Sequence, residues 1–301
     1  MRYLETNPSR LPKERSAPAR ALTKLKSLRL ARMGRLLILG RDLNFADKIK
    51  LNYRRKYRPL RITFAGRPMQ VADADSFLGA YKEIFFDRVY AFPSATPRPL
   101  IIDGGANIGL ATLFFKRIYP QSRVIAFEAD PWISEMLEQN IGSFHLSDVQ
   151  LVNAALWNSD ASLSFTSERG ASGHIATSTD TGGSVPVAAV RLKSWLHEKI
   201  DFLKLDIEGA EYEVLEDCQK ELRNVQNLFV EYHSPASSEQ RLSRILDILS
   251  GAGFRYQIHE AFTLPHPFLD RRLAGQMDLQ LNISAFRPES NASYSPSLRA
   301  T

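Results

Sequence analysis

One cysteine, Cys218, stands in 301 residues, which excludes an internal disulfide and a thiolate metal site and fits a reducing compartment. The residue reads as a small apolar filler on a helix. Long hydrophobic runs are also missing. No apolar stretch approaches the roughly 20 residues of a membrane span, and the charged amino terminus lacks the apolar core of a secretory signal. The address these absences predict is cytoplasmic. No internal repeat is visible, so a solenoid or propeller is not expected.

What is present is an ordinary globular composition, 44% apolar and 24% charged. The net charge of +6 hides an asymmetry: residues 1–60 hold 17 Lys/Arg against 4 Asp/Glu, so that they carry +13 and residues 61–301 carry −7. Within that head, Lys13, Arg15, Arg20, Lys24, Lys26, Arg29, Arg32 and Arg35 interleave with leucines at 22, 25, 28, 30, 36 and 37. The spacing is loosely helical. A solvated or partly disordered basic helix explains it, as does docking on an anionic membrane surface or another acidic partner, and the Arg-rich start also permits an organelle transit peptide.

Four segments follow from the pattern: a basic extension (1–60, partly helical or disordered), a cap (61–98), a main α/β domain (99–287) and a disordered tail (288–301). In the cap, "RITFAGRPMQV" reads as two strands around a glycine turn and "DADSFLGAYKEIFFDRVYAF" as a capped amphipathic helix. Strands near 99–103, 123–128, 149–154, 201–206 and 227–232 alternate with helices near 107–117, 131–141, 210–222 and 237–250. Strands near 254–262 and 279–286 close the series. The pattern predicts an α/β fold, a doubly wound, mostly parallel seven-stranded sheet of Rossmann-like type with an N-terminal helical and strand extension. Short strands near 162–166 and 185–190 flank a polar loop that would arch over a site.

The first long strand, "PLIID", ends on Asp103 and runs into Gly104, Gly105, Ala106, Asn107, Ile108 and Gly109. Ligands of open parallel sheets sit at such carboxyl ends. The loop lacks the G-x-G-x-x-G of a dinucleotide site, and Asp103 would repel a diphosphate while pairing with an ammonium. S-adenosyl-L-methionine has the ammonium and no phosphate. Glu128, at the end of the second strand, suits both ribose hydroxyls. Asn153 and Ala154, ending the third, fall where an adenine would lie, although capping a turn explains Asn153 equally well.

These motifs resemble the FkbM-type methyltransferases: "IIDGGANIGL", "VIAFEADP", "FLKLDIEGAEYEVL" and "LFVEYH" occur in the family's order, over roughly residues 74–233. The resemblance implies a class I adenosylmethionine-dependent fold and O-methylation of a sugar, glycan or natural-product hydroxyl. One departure is Lys193 in "VRLKSWL", where the family has an acid.

In the third motif, Phe202, Lys204 and Asp206 share a strand face. A buried lysine needs a counter-ion, and Glu231 on the following strand is the expected one. Asp206, Glu208 and Glu211 gather where that strand meets a helix, and helix N-termini favour acids on their own account. With His233 they would hold the acceptor's hydroxyls. The catalytic set expected is therefore His233, Asp206, Glu208 and Lys204, with His233 as the base because its ordinary pKa is near neutral. His174 is held in reserve. No metal is assigned, since the oxygen set for magnesium is incomplete. Two rivals stand beside this reading. A nucleic-acid methyltransferase would use the basic head on phosphates, but "LDIEG" replaces the Pro-Pro-aromatic stretch of base-methylating enzymes, and nucleic acid is not expected as a partner. A non-catalytic nucleoside-binding module leaves the second acidic cluster unexplained.

Overall fold

The computed structural model describes residues 42–53, 58–167, 173–175, 184–264, 266–269 and 277–288. The basic head before residue 42, most of the loop 168–183 and the tail beyond 288 lie outside the described residues, so the expectations of order or disorder there stand as expectations.

The chain runs through helix α1 (Phe45–Tyr53), hairpin β1 (Leu60–Phe64) and β2 (Arg67–Val71), and helix α2 (Ala74–Tyr81) with one π-helical turn at Lys82–Phe86. Then come β3 (Leu100–Gly104), α3 (Leu110–Ile118), β4 (Arg123–Phe127), α4 (Pro131–Ser143), β5 (Val149–Val152), β6 (Ala155–Trp157), β7 (Ala161–Ser167), β8 (Gly173–Ile175) and β9 (Ser184–Arg191). The last part holds β10 (Ile200–Leu205), α5 (Glu211–Asp217), β11 (Val225–Pro235), α6 (Leu242–Gly251), β12 (Arg255–Phe262) and β13 (Met277–Phe286).

Seven strands form the main sheet in the order β12-β13-β11-β10-β3-β4-β5, parallel except that β13 runs against both its neighbours. The order reverses between β3 and β10. Side chains alternate across this sheet with the two-residue period of a strand. Ile101, Val124, Phe202 and Phe229 face one apolar layer, while Ile102, Ile125, Leu203 and Leu228 face the other. All residues of β3 and β10 are buried, as expected for central parallel strands covered on both faces.

Element starts differ from the sequence expectation where the backbone leaves the helical region. Asn107 (φ 49°) and Gly109 (φ 94°) are left-handed, so α3 begins at Leu110. Asp130 caps α4 by accepting from Trp132 N and Ile133 N, and Pro131 occupies its first turn. The segment expected as one helix over 210–222 is α5 followed by a separate 3-10 turn at Glu221–Asn224. The hairpin expected near 162–166 and 185–190 forms as β7 against β9, in a second sheet of order β6-β9-β7-β8. Strand β6, directly after β5, was not legible as a separate element.

Apolar packing runs across residues 60 and 98. Leu43 and Leu51 belong to the same apolar cluster as Phe64 and Phe77 of the cap and Phe115, Phe202 and Phe229 of the sheet. Asp47 of α1 accepts the Thr63 amide at 2.8 Å, and Asn140 of α4 accepts from Gln70 N and donates to Gln70 O in β2. Tyr90, after the cap helix, meets Phe229 edge-on at 4.8 Å between centroids. The cap is thus laid on one face of the sheet.

Candidate functional site

The loop after β3 spends its backbone donors inside the fold. Gly105 N and Ala106 N both donate to Phe127 O, at 3.0 and 2.8 Å, and Gly109 N donates to Ala106 O. Asn107 N donates to Glu128 Oε2 at 2.8 Å, and Ile108 N to Asn107 Oδ1 at 2.7 Å. A pyrophosphate is held by loop amides that point outward at a helix N-terminus. Here five successive amides already have acceptors within the protein.

Gly105 has φ 77°, and a Cβ there would lie 1.8 Å from the backbone oxygen of Asp206. The glycine is required because the loop crosses the end of β10. Glu128, only 8% exposed, is fixed by the Asn107 amide and by the Asp130 amide on its other oxygen. Burial, the largest influence, pushes its carboxyl up to about 7, against the pull of those two hydrogen bonds. Each oxygen keeps a second lone pair for an incoming hydroxyl.

Asp103 is fully buried and accepts from Thr112 Oγ1 at 2.7 Å. Its ammonium partner is supplied by the protein: Lys204 Nζ lies 3.5 Å from Asp103 and 3.2 Å from Asp206. The same ammonium donates to the carbonyls of Gly105 at 2.8 Å and Gly104 at 3.2 Å. Lys204 stands opposite Phe229 and Asp103, and Glu231, two residues beyond Phe229, adds a smaller charge attraction than Asp206 and Asp103 do. Burial opposes the charge on Lys204, but Asp206 and Asp103 outweigh it and raise its pKa. This lysine ties the glycine loop to β10.

On the adjoining strand end, His233 is clamped between carboxylates. Its Nδ1 is 3.0 Å from Glu211 Oε1, and its Nε2 is 3.4 Å from Glu208 Oε2 and 3.2 Å from Gln280 Nε2. Glu211 also accepts the amides of Ile207 and Gly209, so it caps the start of α5 and orients the imidazole together. Glu208 has φ 55°, an uncommon conformation for a side chain of its kind. Beside them Glu231 accepts from Gln280 Nε2.

A family model described as the methyltransferase FkbM domain matches residues 103–256, which run from Asp103 past the second cluster. The chain belongs to the FkbM methyltransferase family. It is 31% identical to "Methyltransferase sdnD" of Sordaria araneosa over 56% of this chain and 79% of that one. It is 26% identical to "2-O-methyltransferase NoeI" of Sinorhizobium fredii, over 51% of this chain and 72% of that one. It is also 26% identical to "31-O-demethyl-FK506 methyltransferase FkbM" of Streptomyces tacrolimicus, over 65% and 90%. It is a methyltransferase, built on a mostly parallel seven-stranded α/β sheet.

In this FkbM-type methyltransferase the sequence-selected residues lie at or near the carboxyl ends of the inner strands: Asp103 to Gly109 and Glu128 on one side of the switch point, Lys204, Asp206, Glu208 and His233 on the other. Asn153 donates to Glu128 O at 2.8 Å, tying the end of β5 to the end of β4, and Ala154 is buried beside it. His174 sits in β8 of the second sheet, opposite Thr166. Lys193, the departure from the family pattern, pairs with Asp217 at 3.3 Å beside Arg191.

His233 is shifted from an ordinary imidazole. Burial works against its charge, yet Glu211 and then Glu208 and Asp206 hold its pKa well above the ordinary value. The raised value favours the protonated ring, which has no lone pair to receive a proton. Glu231 is the opposite case: burial, then the charge of Asp206, pushes its carboxyl up to about 8, with His233 pulling it down. Asp206 likewise follows burial in raising Glu83, which the π-helical turn of the cap presents to this region. Asp206, Glu208 and His233 each have one ligand atom within 4.8 Å of the others.

Sequence reading missed Glu83, Thr112 and Gln280. Glu83 is masked by an amphipathic helix pattern, and Gln280 lies on a strand with no motif. The one signal available was the cost of burying a bare carboxylate, which predicts some donor such as Thr112 near Asp103.

Proposed function

We propose that this methyltransferase transfers the methyl of S-adenosyl-L-methionine to a hydroxyl oxygen of a sugar, glycan or natural product. The observation that carries the cofactor reading is the consumption of the glycine-loop amides by the fold, beside a buried Glu128 with lone pairs to spare. Such a loop suits a nucleoside without phosphates. Glu128 would take the ribose hydroxyls, and the cleft by Asp103 to Gly109 the methionyl part. When bound, the cofactor supplies an electrophilic sulfonium methyl.

The acceptor reading rests on the carboxylates at the ends of β10 and β11, and on two relatives whose names specify oxygen methylation. The acceptor hydroxyl lies against Asp206 and Glu231, and Glu231 takes its proton. A carboxyl with a pKa near the working pH suits that task. His233, whose raised pKa favours the cation, pairs with Glu208 and Glu211 and limits the build-up of negative charge. The same acidic surround disfavours phosphate-rich acceptors such as nucleic acid.

The test is titration calorimetry with adenosylmethionine, adenosylhomocysteine and NAD, then incubation with labelled adenosylmethionine and a panel of sugars, glycans and polyhydroxylated natural products. Binding of the first two without NAD, with label appearing as a methyl ether, is expected. Comparable NAD binding would overturn the cofactor reading, and label on nitrogen or nucleic acid would overturn the acceptor reading.

A further inference from the structure

Helix α1 presents an apolar row to solvent. Phe45 is 74% exposed and Ile49 40%, and Tyr53, 68% exposed, continues the row. Spacing of four residues keeps the three within about 80° of helical arc. The opposite side carries Asp47 and Leu51, each 2% exposed, which fasten the helix to the cap through the Thr63 amide and the apolar cluster. The helix is therefore anchored by one face and offers large apolar side chains on the other, at positions where ordinary surfaces carry polar ones.

The segment from the middle of α1 onward has one sign of charge. From Lys48 to Arg67 there are eight Lys/Arg (Lys48, Lys50, Arg54, Arg55, Lys56, Arg58, Arg61 and Arg67) and not one Asp or Glu. An apolar row with aromatics, flanked by cations, is the pattern of a helix that lies in the headgroup layer of an anionic bilayer: the rings enter the acyl boundary and the cations meet lipid phosphates. No helix of the described residues is long and apolar enough to cross a membrane, so the contact is peripheral. We infer that the Phe45–Ile49 face of α1 docks this enzyme onto anionic lipid. Charge complementarity selects this occupant over a second copy of the chain, whose matching face would bring the same dense positive charge into contact with itself.

The experiment is flotation of the full-length protein with phosphatidylcholine vesicles made with and without phosphatidylglycerol, at low and high salt. Wild type is expected to float with the anionic vesicles and to release with salt. The double variant Phe45→Ser/Ile49→Ser should bind those vesicles at least about tenfold more weakly, because the buried apolar area is lost, with unchanged melting temperature and adenosylhomocysteine affinity. Replacing Arg54, Arg55 and Lys56 by Gln should reduce both the binding and its salt dependence. The inference is overturned if wild type ignores anionic vesicles or floats equally with neutral ones. It is also overturned if the Ser variant floats like wild type, or if sedimentation shows a wild-type dimer that the Ser variant abolishes.

Discussion

His233 Nδ1 lies 3.0 Å from Glu211 Oε1, and both side chains are shut off from solvent, at 4% and 1% exposure. The pair joins the end of β11 to the start of α5. Removing the imidazole leaves a buried carboxylate without its cation, so His233→Asn should destabilise the fold by about 3–5 kcal/mol in urea unfolding. Because the folded pKa is raised, the contribution is fully present below the unfolded value of about 6.5 and is lost as pH rises through the folded value. The gap between wild type and variant should therefore narrow at alkaline pH. An unchanged gap would show that His233 is neutral in the fold.

Glu231 carries the opposite expectation. Its carboxyl, pushed up to about 8 by burial and Asp206, is protonated at lower pH and accepts a proton only above it. The turnover rate should rise with pH through about 8 and then level. Glu231→Gln keeps the side-chain shape, lowers the rate by roughly 10²–10⁴-fold and flattens the profile, with little change in cofactor affinity. A retained rising limb in the Gln variant assigns the proton to another group.

Gly105→Ala should fail structurally before it affects any ligand. The added methyl meets Asp206 O at 1.8 Å and the residue has φ 77°, which together cost roughly 2–5 kcal/mol. Thermal unfolding with and without adenosylhomocysteine separates the effects: a lowered midpoint without ligand is the expected signature.

Lys204→Met removes the ammonium shared by Asp103 and Asp206. A loss of about 3–5 kcal/mol is expected from stranding the buried Asp103 charge. Adding Asp103→Asn should recover part of it, since the second change removes the stranded charge. The double-mutant cycle measures the coupling, and strict additivity would deny that the two residues act as a pair.

Leu51→Ala tests whether α1 belongs to the core. At 2% exposure inside the cap cluster, the substitution should cost about 2–5 kcal/mol. A neutral effect would return α1 to the status of a detachable extension.

The sheet, its strand and helix order, the glycine loop and the two acidic ends were legible in the sequence, because alternation of buried strands and helices is a local pattern, and a carboxylate ending an apolar run stands out against it. Asp103, Glu128, Asp206 and Glu208 were selected in this way. Their partners were decided only by tertiary structure. Parallel register sets Lys204 opposite Asp103, and not Glu231; the crossing of the loop over β10 makes Gly105 obligatory. Protonation was the least legible property. The sequence shows a histidine near acids, but whether it is a base or a fixed cation depends on burial and on ångström distances to Glu211 and Glu208, which residues far apart along the chain acquire only when the sheet closes around them.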